Sequence, residues 1–173
     1  MEKTQFKRIL FKTAFCCMAC DGHIDDREIK EMEGMDRNTI YFEDVDLSVE
    51  LEDLVNQFQK KGKKTVEELF EQLKKTDLNT VQELLLLEVA LRMINADEVI
   101  EENEKKFLRF LRSKLKVHDE TLLDRFGKIS YLFDVDYKES LTKVKTPEEL
   151  LESMTLPKID EMKLIEFSEQ NKS

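Results

Sequence analysis

The chain has 173 residues, of which 40% are hydrophobic and 38% are charged, and its formal net charge at neutral pH is -10. This length supports one core of moderate size and argues against two independent domains. Four Gly and two Pro are too few for a loop-rich β-sandwich and favour a helical bundle. The acidic net charge disfavours nucleic acid as a partner, because it repels phosphate backbones.

The first half of the chain predicts three helices and one irregular segment. Apolar residues fill nearly every position from 6 to 20, which is typical of a helix buried on most sides. Residues 36–46 lose the helical period but keep apolar side chains, so we expect an ordered loop anchored in the core. Amphipathic helices are expected over 47–60, beginning near Ser48, and over 65–75, where Thr65 and Glu68 have the spacing of a capping box.

The second half begins with another helix that is apolar on most sides, over residues 81–96, with Glu88 and Arg92 as charged interruptions. We expect it to form the centre of the bundle together with the helix over 6–20. Helices are also predicted over 101–115 and 118–126 from the spacing of apolar residues. These elements predict one helical domain over residues 1–128. Residues 129–173 are expected to form a C-terminal extension that packs on this domain and contains a short helix with Pro147 in its first turn.

One eight-residue motif occurs twice, first as Asp21-Gly22-His23-Ile24-Asp25-Asp26-Arg27-Glu28 and again as Asp97-Glu98-Val99-Ile100-Glu101-Glu102-Asn103-Glu104. The alignment extends upstream through the two apolar helices, so we interpret it as an internal duplication. In each copy the Asp can end a helix and accept hydrogen bonds from turn amides, and the Ile can insert into the core. The acids that follow favour the N-terminus of the next helix through its dipole.

This account of the motif needs no ligand, and a second interpretation stays open beside it. Carboxylate oxygens converging from a turn are the ligands that a hard cation such as Ca²⁺ or Mg²⁺ prefers. The candidate metal ligands are Asp21, Asp25, Glu28, Asp97, Glu101 and Glu104. The motif is not an EF-hand, because its Glu stands at the eighth position of the turn and the EF-hand Glu at the twelfth.

Other chemistry is poorly supported by the residue types. Cys17-x-x-Cys20 followed by His23 could indicate zinc or redox chemistry, but the repeat equivalents of the two cysteines are Met93 and Ala96, so we favour buried small hydrophobic residues. With two histidines, no Gly-rich phosphate loop and no nucleophile beside a base, we expect no enzyme and assign no catalytic residue.

The expected location is the cytoplasm. No stretch approaches the roughly 18 apolar residues of a membrane span, the N-terminus lacks the pattern of a secretory signal, and the clustered cysteines suit a reducing compartment. The basic run from Lys60 to Lys64 is interpreted as a solvated helix end that the helix dipole favours, and not as a nucleic-acid site.

The two motifs with the small residues before them, Ala19 to Glu28 and Asn95 to Glu104, resemble the TerB tellurite-resistance family and the related N-terminal domain of the DjlA co-chaperone. The resemblance covers residues 4–126. It implies an all-helical bundle of about seven to eight helices with pseudo-twofold repeats, an acidic surface that allows a divalent-cation site, and a non-enzymatic role in stress response within complexes near the membrane. Glu98 departs from the Gly expected in the second turn, and the chain after Gly127 is additional.

We therefore expect a TerB-like module that binds a divalent cation or a protein partner through its duplicated acidic turns. The alternative is a metal-free scaffold that dimerises or docks through exposed apolar surface and Tyr131, Leu132 and Phe133. A metal-dependent hydrolase is a third and weaker hypothesis. The identity of the partner and the relevance of tellurite stay open, because function must be argued from a site and not from a family name.

Overall fold

Helices make up most of the structure, a computed structural model that describes residues 2–20, 27, 30–32, 34, 42, 45–96, 99–100, 102–133, 147 and 149. They are α1 (Lys3–Cys20), α2 (Leu47–Lys61), α3 (Lys64–Lys75), α4 (Thr80–Ile94), α5 (Glu102–Ser113), α6 (Asp119–Phe126) and α7 (Ser130–Phe133). Residues 27, 30–32, 34, 147 and 149 are also helical, and none of the described residues is in a β-strand. The predicted all-helical bundle is confirmed.

Helices α1 and α4 form the centre of the bundle, as their composition predicts. They pack against each other more extensively than any other pair of the described helices, and α1 also contacts α2, α3 and α5. Buried residues run from Phe6 to Cys20 on every side of α1, so this helix has no polar face for most of its length. The hydrophobic core is built around it.

Helix α2 runs parallel to α1. Arg8 near the start of α1 forms an ion pair of 2.7 Å with Glu50, and Phe15, further along α1, meets Phe58 edge-on at 6.2 Å between ring centroids. The loop before α2 is anchored as predicted at Phe42, which is 1% exposed and packs edge-on against a ring of α1. Most other residues of the predicted loop over 36–46 lie outside the described residues.

The ends of α2 and α3 differ from the sequence prediction. The N-cap of α2 is Asp46, whose side chain accepts from the amides of Ser48 and Val49, so Ser48 is inside the helix. The predicted capping box at Thr65 is wrong, because α3 begins one residue earlier and its N-cap, Lys63, makes no side-chain cap hydrogen bond. Thr65 is instead fully buried.

Helix α6 lies alongside α4 and runs in the same direction. The carboxylate of Glu83 at the start of α4 accepts from the amide of Val117 just before α6, and Glu88 further along α4 pairs with Arg125 near the end of α6. Helix α5 packs on α3 through Phe110, whose ring meets that of Phe70 at 4.7 Å.

The C-terminal extension begins with α7 against α5. Leu132 is 2% exposed, and Arg109 donates a hydrogen bond of 2.8 Å to the carbonyl oxygen of Tyr131. Of the extension after 133, only Pro147 and Glu149 are described, and both are helical. Among the described helices, none is long and apolar enough to cross a membrane.

Candidate functional site

The candidate metal ligands fall mostly outside the part of the chain that the structure describes. Asp21, Asp25 and Glu28 of the first turn lie outside it, as do Asp97 and Glu101 of the second. Glu104 is described. The internal duplication and the convergence of these carboxylates therefore remain predictions.

Each acidic motif follows the end of a central helix in the chain. Helix α1 ends at Cys20, which is fully buried, immediately before the first motif. Helix α4 ends at Ile94, and the amide of its C-cap residue Asn95 donates to the carbonyl of Leu91, two residues before the second motif. Further along the second turn Ile100 packs partly buried against the core, which confirms for this copy the prediction that the Ile inserts into it.

Glu104 lies in the first turn of α5 and points inward, with 2% of its surface exposed. A buried ionised carboxylate is costly unless donors or a cation compensate it, and the N-terminus of a helix supplies part of that compensation through its dipole. Glu102 is different. It is solvent-exposed, and a hydrogen bond of 3.0 Å from Lys105 lowers the pKa of its carboxyl group. Of the two acids in the first turn of α5, Glu102 therefore points outward and Glu104 points inward.

Tyr131, at the start of the C-terminal extension, interacts electrostatically with Glu104. Its pKa is raised, first by burial and then by electrostatic interaction with Cys17 and Glu104. The pKa of Tyr131 on α7 thus depends on groups of α1 and α5. No pattern in the sequence predicts this arrangement, because the three residues are far apart along the chain.

The three cysteines are fully buried in α1. The Sγ atom of Cys17 lies 3.8 Å from the carbonyl oxygen of Ala90 on α4 and donates to it. Burial raises the pKa of the Cys16 thiol to about 12, opposed by the positive charge of Lys12, so this thiol stays protonated at neutral pH and is a poor nucleophile. The interpretation of Cys17 and Cys20 as buried small residues is confirmed.

Within the described residues, no group of three or more His, Cys, Asp or Glu side chains is placed to hold a metal ion. This applies to the cysteine cluster and to the acids around Glu104 as far as they are described. The resemblance to the TerB family stays a prediction that rests on the two motifs. Comparison of the chain with protein-family models, with curated proteins and with solved structures finds no match.

Proposed function

We propose that the chain is a non-enzymatic, TerB-like stress-response module whose two acidic turns bind a divalent cation, Ca²⁺ or Mg²⁺, and through it a protein partner. The observation that carries the proposal is the inward position of Glu104, the last acid of the second motif, at the start of α5. A carboxylate directed inward next to a turn rich in acids has the chemistry of a cation ligand.

The donor set supports a hard cation in preference to zinc. Every candidate ligand in the two motifs is a carboxylate, and Ca²⁺ and Mg²⁺ favour oxygen ligands, whereas structural zinc favours thiolate and imidazole. Each turn also joins one central helix to the helix that follows it in the predicted duplication. A cation held there would offset the repulsion among the acids and fix the angle between the helices, which is how binding would prepare a surface for a partner.

Thermal unfolding of the full chain in chelator, and with added Ca²⁺, Mg²⁺, Mn²⁺ or Zn²⁺, tests this proposal. A cation that binds the folded state alone stabilises it by about 2.7 kcal/mol at a hundredfold excess over its dissociation constant. The variant Asp21→Asn with Asp97→Asn should lose the shift. The matched control, Asp53→Asn with Asp124→Asn, removes the same charge from exposed positions of α2 and α6 and should keep it.

The absence of a shift with every cation would overturn the metal part of the proposal. A shift that survives in the Asp21 and Asp97 double variant would move the site elsewhere. Only the first result leaves the alternative, a metal-free interaction scaffold.

One observation favours the metal-free scaffold, and another excludes Leu132 from its docking surface. Val81 on α4 is 65% exposed and Leu123 on α6 is 42% exposed, so apolar side chains are available on two helices that lie side by side. Leu132, which the sequence suggested as a docking residue, is buried against the core and is unavailable. If the scaffold dimerises through these helices, Val81→Asp should lower the mass measured by light scattering, and Val49→Asp on α2 should not.

A further inference from the structure

A cavity of about 380 Å³ lies beside the C-terminal half of α4. It is bounded by α4, by the end of α6 and the residues after it, and by Glu31. Small-molecule sites typically begin at about 300 Å³ and combine apolar walls with a few polar groups. This cavity has that composition, because charged residues share its wall with Leu91, Phe126 and Ile129.

The charged residues are arranged around one carboxylate. Oε2 of Glu88 lies 3.2 Å from a guanidinium nitrogen of Arg125, and Oε1 of the same group lies 3.8 Å from a guanidinium nitrogen of Arg92. The Glu88 side chain is 16% exposed, whereas that of Arg125 is 52% exposed. One half-buried acid therefore holds two arginines at the cavity wall.

Arg125 retains hydrogen-bonding capacity in this arrangement. A guanidinium has five N–H donors, and Arg125 donates to Glu88 alone among the residues that the structure describes. Its guanidinium carbon also lies 5.9 Å from the centre of the Phe126 ring, a contact that limits the orientations of the planar group. Positioned, partly exposed N–H groups of an arginine match the two oxygens of a carboxylate or phosphate.

The local charge selects between these two anions. Among the described residues of the wall, Arg92 and Arg125 carry two positive charges and Glu31 and Glu88 carry two negative charges, so this part of the wall is formally neutral. A dianionic phosphate would meet more repulsion there than a carboxylate with its single charge. The apolar part of the wall provides a surface for a hydrocarbon group next to the carboxylate.

We propose that this cavity binds a carboxylate attached to an apolar group, with Arg125 as the main recognition residue and Arg92 as its neighbour. Two sources have this chemistry: a free apolar amino acid and the C-terminus of a peptide chain. They differ at the nitrogen next to the carboxylate, which is an ammonium in the free amino acid and a neutral amide in the peptide. Glu31 at the cavity wall can attract the ammonium.

Titration of the full chain with three small probes, followed by two-dimensional NMR of the backbone amides, tests the proposal. The probes are L-leucine, N-acetyl-L-leucine and L-leucinamide. A ligand of this size reaches a dissociation constant on the order of 1 mM, so shifts should saturate at accessible concentrations. Leucinamide lacks the carboxylate and should leave the amides of Leu91, Phe126 and Ile129 unshifted. Tighter binding of leucine indicates a free amino acid, and tighter binding of acetyl-leucine indicates a peptide terminus.

Variants at two matched arginines complete the test. Arg125→Gln should weaken binding of the carboxylate probes about tenfold, and Arg125→Lys should weaken it less because the charge is retained. Arg8→Gln removes another exposed arginine that is paired with a glutamate, on α1, and should not change binding. An unchanged midpoint of thermal unfolding shows that each variant is folded.

The proposal would be overturned by equal binding of leucinamide and the two carboxylates, by an unchanged affinity in folded Arg125→Gln, or by no shift at the cavity amides with any probe. The acidic turns do not enter this experiment. Its outcome is thus independent of the cation proposed above.

Discussion

Glu83 on α4 accepts a hydrogen bond of 2.7 Å from the backbone amide of Val117, in the segment between α5 and α6. Both oxygens of the same carboxylate also accept from the amide of Lys116 at 3.0 Å. The side chain is 4% exposed, so water has little access to these bonds. This contact fixes the point where the chain turns from α5 towards α6, and therefore the position of α6 beside α4.

Replacing Glu83 should destabilise the fold more than any other glutamate substitution on α4. Hydrogen bonds to a charged group contribute about 1.5–3 kcal/mol, and buried amides left without an acceptor add to the cost. We expect Glu83→Ala to lower the free energy of unfolding in urea by about 3 kcal/mol and Glu83→Gln by about 1 kcal/mol. The exposed Glu52→Ala should change it by less than about 0.5 kcal/mol, and a similar small loss for Glu83→Ala would contradict the anchoring role.

The N-cap of α2 gives a second prediction. Asp46 accepts from the amides of Ser48 and Val49 at 3.1 and 3.3 Å, so Asp46→Ala should lower the free energy of unfolding by about 1 kcal/mol. Ser48→Ala lies inside the helix and should have no such cost. The reverse ranking in thermal or urea unfolding would restore Ser48 as the cap.

Two buried threonines form a matched pair for a third prediction. The hydroxyl of Thr65 has no hydrogen-bond partner within the described structure, whereas that of Thr13 donates to the carbonyl oxygen of Ile9 at 2.8 Å. Both residues are fully buried. Because a buried hydroxyl without a partner is costly, Thr65→Val should raise the free energy of unfolding by about 1 kcal/mol, and Thr13→Val should not raise it. A loss of stability in Thr65→Val would show that its hydroxyl has a partner.

The thiol of Cys16 gives a prediction about alkaline pH. Burial raises its pKa from 9.0 to about 12 in the folded chain, so the unfolded state releases its proton first. The thiol's contribution to stability is fully present below pH 9.0 and is lost as the pH rises towards 12. At pH 10 the loss is on the order of 1 kcal/mol.

Urea unfolding at pH 7 and pH 10 measures this effect. The decrease in stability between the two pH values should be smaller in Cys16→Ala by an amount on the order of 1 kcal/mol. A thiol reagent at pH 8 should modify the buried cysteines only as fast as the chain unfolds. Rapid modification of the folded protein would contradict their burial.

A fifth prediction concerns the start of the C-terminal extension. Leu132 is 2% exposed in the core, and truncation of a buried leucine costs about 2–5 kcal/mol. Leu132→Ala should therefore destabilise the whole bundle in a single transition. Leu123→Ala on the outer face of α6, where the side chain is 42% exposed, should have a small effect. Equal, small losses for both variants would make α7 a peripheral element.

The pattern of apolar residues in the sequence determined where the helices lie along the chain and which of them are buried at the centre of the bundle. Residues 6–20 and 81–96 are apolar on nearly every side, so burial at the centre of the bundle was the only way to remove that surface from water. The same reasoning places Phe42 in the core, because a large ring in a loop that keeps apolar side chains is stabilised by burial. These are local properties of the chain, which a pattern can carry.

Tertiary structure alone decided which polar groups meet. The pairs Glu83 with Val117 and Glu88 with Arg125 are separated by long stretches of chain, and nothing in the local pattern specifies their contact. Thr65 shows in another way what a local pattern cannot predict. Its spacing to Glu68 suits a capping box, but burial against the core placed it inside α3.

The acidic motifs could be identified in the sequence from their repetition. The inward position of Glu104 and the cavity beside α4 depend instead on how the helices pack, because burial and charge pairing are properties of the assembled bundle.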